Sequence, residues 1–486
     1  MSRFAPDLEF RDRTVTVMGL GGFGGGIGAV RFLAEQGARV LVTDLRSESE
    51  LRASLAQLDP AWPVTLRLGQ HDEADFRDTD LIVVSPAVPK NSPYLGVARA
   101  AGVSLTSEMN LFWERNPGRV IAVTGSNGKS TTTALIHAIV AAALGESGRR
   151  APCRCWLGGN IGVSLLPQVG RIQPRDWVIL ELSSFQLEDL APLKPRPEIA
   201  VVTNFSPNHL DRHGTVEAYR AAKQNLLRWQ TAEQFAVMNG RSEVADWPTA
   251  ATRWHFGSTP NEMGFGVFGD GLDVTVRWPD AFRGEQRLPL GRWLTLRGTH
   301  NWQNAQAAVA AALAAGLSIE AVERGISSFT GLPHRLEFVA DVAGRRCIND
   351  SKSTTPEATV LALQAFDEPI VLLAGGYDKQ IDLSAIADAA VRHCRAVALL
   401  GQTGPQLGVL IERAARTADV AGPTCRGFPS LEPAVAWSLQ QSAPGDIVLL
   451  SPGCASYDWF ANYIERGERF ATFVIECECR GDNPQH

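Results

Sequence analysis

"VIAVTGSNGKSTTTAL", residues 120–135, decides the fold of the chain's centre. Val120 to Thr124 form an apolar, β-branched run of the kind a buried strand needs. Ala134 and Leu135 lead into "IHAIVAAAL", an apolar, helix-like segment. Between them lie Gly125, Ser126, Asn127, Gly128, Lys129, Ser130 and Thr131. In a strand–loop–helix unit of this kind, small residues let successive backbone N–H groups point at phosphate oxygens. Lys129 can neutralise β/γ-phosphate charge, and the Ser130 hydroxyl can ligate Mg²⁺. The strict G-x-x-x-x-G-K-[ST] spacing needs glycine where this chain has Val123, so the loop is a variant. A glycine-rich turn before a helix can be merely structural, but Gly-Lys-Ser in this setting favours a nucleotide.

Two further strands follow this loop. "DWVILELSSFQLE", residues 176–188, puts Glu181 near a strand's C-terminal end, the edge where open α/β sheets collect ligands. A carboxylate in an apolar run is costly unless paired or metal-bound. Otherwise it is an ordinary strand end facing water. "EIAVVTNFSPNHLDRHGTVEAYRAAK", residues 198–223, brings His209, Asp211 and His213 directly after a strand and Lys223 onto a helix. A neutral imidazole can ligate a metal, while an isolated loop histidine does nothing in particular. A helical lysine taken alone is a solvated cation.

Upstream, "VTVMGLGGFGGGIGAV", residues 15–30, contains Gly19-x-Gly21-x-x-Gly24, and Asp44 ends the next strand-like run. That is the dinucleotide fingerprint, and it keeps a nicotinamide-dependent oxidoreductase among the readings. The same turn binds the pyrophosphate of any nucleotide.

The chain therefore reads as three α/β units in series. Residues 1–107 alternate "TVTVMGL", "ARVLVTD", "VTLRLG" and "DLIVVSP" with helices starting near Gly24, Ser47 and Ser92. Residues 108–331 hold the phosphate loop, a polar strand-rich stretch near 254–297 and the helix "HNWQNAQAAVAAALAAG". Residues 332–486 alternate again through "RRCIND", "PIVLLAGG", "AVALLG" and "DIVLLSP". A length of 486 residues agrees with about two to four domains. The net charge of −6 argues against a general nucleic-acid binder. No apolar segment is long enough to span a bilayer, and the N-terminus lacks a signal core, so a cytoplasmic protein is expected. Cys153-x-Cys155 and Cys477-x-Cys479 lack zinc-site spacing, which favours reduced thiols.

Taken in order, "TGSNGKSTTT", "GGNIG", "ELSSFQLE", "NHLDRH" with "YRAAK", "GTHNWQNAQAA", "GLPHRLE", "NDSKSTT" and "SPGCASYDWF" resemble the Mur ligases, ATP-dependent amide-forming enzymes of peptidoglycan precursor synthesis. "DNPR", typical of the diaminopimelate- and lysine-adding branches, is absent from the third block. The resemblance implies a Rossmann-like UDP-binding domain, a central ATPase-like α/β domain and a Rossmann-like third domain. It implies addition of D-glutamate to UDP-N-acetylmuramoyl-L-alanine through an acyl phosphate, by a monomer.

By motif, Lys129 and Ser130 would hold ATP phosphates and Mg²⁺. Glu181 would serve a first magnesium site, and His209 a second together with a Lys223 carbamylated by CO₂. Asn301 and Asn304 would contact the nucleotide, Arg335 the γ-phosphate and Asp350 the ribose. Gly21, Gly22, Phe23, Asp44, Arg46 and Ser85 would hold UDP, with Asn160 near the muramoyl-peptide. Lys352, Thr354, Lys379, Ser456 and Tyr463 would form the glutamate end. Arg335 could equally brace a domain boundary, Lys379 could be a plain loop lysine, and Ser456 could cap a helix beginning at "SYDWF".

Several residues depart from the family pattern: Ala87 and Gln380 replace glycine, Gly453 replaces alanine, and Ser353, Thr355 and Tyr463 also differ. They surround the UDP and amino-acid sites, so an L-glutamate-adding ligase stands as the alternative.

Overall fold

Each of the three blocks builds a sheet whose buried strands explain its apolar runs. The computed structural model describes residues 10–21, 24–146, 153–257, 264–269, 273–279 and 284–480. The chain divides into two compact units, Met1–Leu294 with Gln303–Phe329, and Thr295–Trp302 with Thr330–His486.

The first sheet contains β1 (Thr14–Met18), β2 (Arg39–Asp44), β3 (Val64–Leu68), β4 (Leu81–Val84) and β5 (Ser104–Thr106). Its order is β3-β2-β1-β4-β5, with every pairing parallel. The strand order reverses between β1 and β4, so the crevice beyond their carboxyl ends is where a nucleotide is expected. The glycine turn leaves β1 there, and Ser85 leaves β4.

The central sheet contains β6 (Arg119–Thr124), β7 (Cys155–Gly159), β8 (Trp177–Glu181), β9 (Ile199–Val202), β10 (Phe235–Asn239), β11 (Thr252–Phe256), β12 (Phe265–Phe268), β13 (Val274–Arg277) and β14 (Glu285–Leu288). The order is β14-β13-β12-β11-β10-β9-β6-β8-β7. β6 lies between β8 and β9, parallel to both. All of β8 and β9 is buried, as expected of parallel strands covered on both faces. The phosphate-loop helix Lys129–Glu146 packs on helix Ile319–Ser327. Gly325 permits this approach, because a β-carbon there would sit 2.4 Å from the Ile139 Cα.

The third sheet contains β15 (Glu337–Val342), β16 (Arg345–Asn349), β17 (Ile370–Gly375), β18 (Cys394–Leu400), β19 (Thr424–Gly427) and β20 (Ile447–Leu450). Its order is β15-β16-β20-β17-β18-β19, antiparallel only at β15. One sequence expectation fails here: "SYDWF" does not open a helix. Residues 457–459 form a turn and 460–462 a bend, and the helix starts at Tyr463, as Tyr463–Arg480. Among the described residues no helix is long and apolar enough to cross a membrane.

Candidate active site

Three strand ends of the central sheet converge: the loop after β6, Glu181 ending β8, and Thr203–Asn204 after β9. The loop's glycines are fixed by neighbours. A β-carbon on Gly125 (φ +145°) would lie 2.0 Å from Thr203 Oγ1, and one on Gly128 (φ +79°) would lie 2.1 Å from Asn304 Oδ1. Asn204 clamps the loop from below. Its carbonyl accepts the Ser126 N–H at 3.0 Å, and its Oδ1 accepts the Asn127 N–H at 2.8 Å. Thr203 Oγ1 donates to the Asn127 carbonyl at 2.6 Å. The Ser126 hydroxyl turns inward, donating to the Ser206 carbonyl at 2.8 Å. The helix Lys129–Glu146 follows directly, and the first turn of a helix is where an anion can be held. Ser130 and Thr131 lie on that turn. The Lys129 ammonium folds back onto the carbonyls of Gly125 (3.0 Å) and Ser126 (2.9 Å).

Lys223 is not a solvated cation. It is 1% exposed, and its Nζ donates to the Gly125 carbonyl at 2.7 Å. Burial and the nearby Lys129 charge pull its pKa down to about 6, with Glu181 opposing them. Glu181 is 2% exposed. Its Oε1 accepts from Asn160 Nδ2 at 2.9 Å, while Oε2 is buried with no hydrogen-bond partner. A buried carboxylate oxygen without a partner is one oxygen donor of the kind a hard divalent cation takes, although among the described residues no three His, Cys, Asp or Glu side chains gather into a metal cluster.

His209 sits at φ +54° at the start of the short helix Leu210–His213, and its residue is exposed. Phe185 gathers this helix. It stacks on His213 at 4.9 Å, meets the His209 ring edge-on at 5.3 Å, and lies 4.7 Å from the Arg212 guanidinium carbon. The motifs "NHLDRH" and "YRAAK" point to His209, with Asp211 and His213 beside it, and to Lys223. Sequence reasoning passed over Arg212, Asn204 and Tyr219, whose hydroxyl lies 3.2 Å from Ser126 Oγ.

In the first domain, Gly19, Gly21 and Gly24 all have positive φ, and the helix Gly25–Glu35 starts directly after them. The fingerprint glycines are thus the turn's left-handed positions. Gly26 and Gly28 serve packing: β-carbons there would lie 2.1 Å from the Leu20 carbonyl oxygen and 2.3 Å from Ser164 Oγ. Gly22 and Phe23, expected at the UDP, lie outside the described residues. Asp44 is buried under the turn, its Oδ2 accepting the Leu20 N–H and an Arg46 guanidinium N–H, each at 3.0 Å. Ser85 borders the turn, 2.9 Å from where a Gly19 β-carbon would stand.

The remaining expected residues lie in the second unit, except Asn304, which packs on the phosphate loop. Asn301 donates to the Arg297 carbonyl at 2.7 Å, so the two asparagines of "THNWQN" fall in different units. Arg335 keeps a buried Nε without a partner. Asp350 is turned inward, accepting from the Leu336 N–H (3.2 Å) and the Ser451 hydroxyl (2.7 Å), and burial raises its pKa to about 6. Lys352 Nζ lies 5.8 Å from the Tyr463 ring centre, and Lys379 Nζ lies 5.6 Å from that of Tyr457. Ser456 is buried and Thr354 half-buried. Arg466, also passed over, ties the loops of Ser351 and Cys454 together.

Comparison with known proteins gives a consistent picture. Residues 13–107 match the Mur ligase MurD-like N-terminal domain, 123–312 the Mur ligase middle domain, and 334–454 the Mur ligase glutamate ligase domain. The UDP-N-acetylmuramoylalanine--D-glutamate ligase of Roseiflexus sp. (strain RS-1) is 40% identical, over 96% of this chain and 99% of that protein. The ligase of the same name from Anaeromyxobacter dehalogenans (strain 2CP-C) is 39% identical, over 96% and 98%. The UDP-N-acetylmuramate-alanine ligase MurC of Thermotoga maritima superposes with a TM-score of 0.60 at 17% identity, covering 96% of this chain and 99% of its own. MurF of Acinetobacter baumannii does so at 0.56 and 17%, covering 84% and 93%. The two solved structures share the fold, and the family models and full-length relatives go further: the chain belongs to the Mur ligase family.

Proposed function

We propose that this chain joins D-glutamate to UDP-N-acetylmuramoyl-L-alanine, converting ATP to ADP and phosphate. As a Mur ligase it is ATP-dependent and uses Mg²⁺. The observation that carries the site reading is the group around the loop: a half-buried Lys129 with buried Lys223 and a buried Glu181 whose Oε2 lacks a partner.

A carboxylate resists amines because its carbonyl carbon is electron-rich and oxide cannot leave. Attack of the L-alanyl carboxylate on the γ-phosphorus expels ADP and gives an acyl phosphate, which has a good leaving group. The glutamate amine adds to that carbonyl, and the tetrahedral oxyanion collapses to amide and phosphate as the amine loses its proton. Gly125 to Thr131 would cradle the phosphates, with Lys129 exchanging its loop carbonyls for phosphate oxygens. Asn301, Asn304, Arg335 and Asp350 complete the proposed nucleotide contacts. Ser130 and Glu181 would hold one Mg²⁺, and His209 with modified Lys223 a second. Bound there, the metal supplies positive charge against the phosphoryl oxygens.

The depressed Lys223 pKa supports carbamylation. Near pH 7 its amine is mostly neutral, and its lone pair can form an N–C bond to CO₂. One C=O electron pair moves to oxygen and an N–H proton is released, turning the neutral amine into an anionic oxygen ligand.

The glycine turn, Asp44, Arg46, Ser85 and Asn160 are assigned to the UDP-sugar. Lys352, Thr354, Lys379, Ser456 and Tyr463 are assigned to glutamate, whose two carboxylates suit paired lysines. Domain limits of 1–107, 108–331 and 332–486 and a monomeric state belong to the same proposal. Phosphate release, with each substrate omitted in turn and D- and L-glutamate side by side, tests it. Turnover without the UDP-sugar, or preference for L-glutamate, overturns it.

A further inference from the structure

The first and central domains are joined by one side chain in an unusual way. Arg212, in the short helix Leu210–His213, donates to three consecutive carbonyls: Pro86 (2.9 Å), Ala87 (3.1 Å) and Val88 (3.2 Å). Those carbonyls belong to the turn that leaves β4, closed by the Val88 N–H on the Ser85 carbonyl at 3.0 Å. The turn's other flank rests on the glycine turn. Gly19, at φ +88°, has no side chain precisely where Ser85 comes within 2.9 Å of a would-be β-carbon. Just beyond the turn, Lys90 pairs with Asp189 on helix Ser184–Leu190, which also carries Phe185.

At its own end, Arg212 belongs to a locked group. Its guanidinium lies over Phe185, the ring that also contacts His209 and His213. A continuous set of contacts therefore runs from the glycine turn, through Ser85 and the 86–88 carbonyls, to Arg212, Phe185 and His209. A planar guanidinium can satisfy three carbonyls at once, whereas a single ammonium cannot hold the same fork. Any shift of the turn on occupancy must move the guanidinium or break these bonds.

We propose that Arg212 is a positioning residue through which UDP-substrate bound at the first domain sets the helix that carries His209, and so couples that substrate to nucleotide binding in the central domain. This rests on the assignment of the glycine turn to UDP and of His209 to the reacting end of the site. A coupling element and a passive brace differ in binding energetics, and the test measures that difference.

The affinity of a non-hydrolysable ATP analogue with Mg²⁺ is measured by calorimetry, with and without UDP-N-acetylmuramoyl-L-alanine. The enzymes are the wild type, Arg212→Lys and Arg212→Ala. In the wild type the UDP-substrate should tighten the analogue by about tenfold, within the usual range of coupling between sites. In both variants that ratio should fall towards one, while affinity without the UDP-substrate stays at the wild-type value. Thermal unfolding identifies a variant that fails to fold, and Arg212→Lys, which keeps the charge and stem, then carries the test. An undiminished ratio in Arg212→Lys overturns the proposal. So does an equal loss of affinity with and without UDP-substrate, the mark of a structural brace, and so does a wild type that turns over but shows no coupling. Failure of the wild type to turn over the UDP-substrate at all would instead sink the ligase reading on which the inference rests.

Discussion

The Lys223 side chain and the Gly125 carbonyl are joined by a 2.7 Å hydrogen bond beneath the phosphate loop. A lysine from the helix Val216–Gln224 is thus held against the loop that would grip the phosphates, out of contact with solvent. Lys223→Ala should lose most activity. Short-chain carboxylic acids, which mimic the carbamate oxygens, should restore part of it. Lys223→Arg, which keeps a cation and cannot form a carbamate, should be inactive without rescue. Initial rates of phosphate release across acetate and propionate concentrations check this. Full activity in Lys223→Ala would remove the carbamate role.

The same residue makes a pH prediction that needs no substrate. Its pKa is about 6 in the folded protein and near its ordinary value of 10.5 in the unfolded chain. Between those values the unfolded state binds more protons, so this residue's contribution to stability improves as pH rises from about 6 towards 10.5. Below about 6 the full penalty of burying the ammonium is present. Urea unfolding of wild type and Lys223→Met at pH 6.5 and 8.5 isolates the effect. Wild type should gain stability relative to the variant at the higher pH. An unchanged difference would show that the amine is not buried in this way.

Glu181 carries the converse trade. Its Oε2 has no partner, and an unpaired buried carboxylate oxygen costs stability until something binds it. Glu181→Gln should therefore leave the ligand-free protein as stable as the wild type or more so. Activity should fall by more than the roughly 10–100-fold that losing an outer-shell partner of a metal ligand costs. Unfolding midpoints without nucleotide, set beside turnover rates, test the two halves separately. A destabilised, fully active variant would overturn the metal assignment.

How much of this was legible in the chain depends on the residue. The glycine turn and the phosphate loop could be read because close backbone approach restricts the residue type locally. Gly19, Gly21 and Gly24 are the left-handed positions, and Gly125 and Gly128 are pinned by Thr203 and Asn304. Most of the long buried strands were equally plain, although β10 was passed over. β5, β7, β15 and β19 were not, being short, glycine-containing or partly exposed sheet edges without a strong apolar period. Burial of Lys223 was invisible, because a lysine's neighbours along the helix do not reveal what packs over it. Arg212 was invisible for a related reason: its three acceptors are about 125 residues away and are backbone atoms, which carry no sequence signature.

One departure from the family pattern has a local cause that can be tested. Gly453, where the resemblance implies alanine, has φ +68° and donates its N–H to the carbonyl of Ser353 at 2.9 Å. A β-carbon there would lie 2.3 Å from Ile386 Cδ1. Ile386 is fully buried, so its methyl has little room to retreat. Gly453→Ala should destabilise the protein by about 1–3 kcal/mol, as overpacking of a tight core does. Ile386→Val removes the clashing methyl and should cost about 0.5–1.5 kcal/mol by itself. The two changes together should be less harmful than their sum, since the second makes space for the first. What remains of the penalty reports the left-handed backbone, which shortening Ile386 cannot relieve. A strictly additive double-mutant cycle in urea unfolding would show that Ile386 does not enforce glycine at this position.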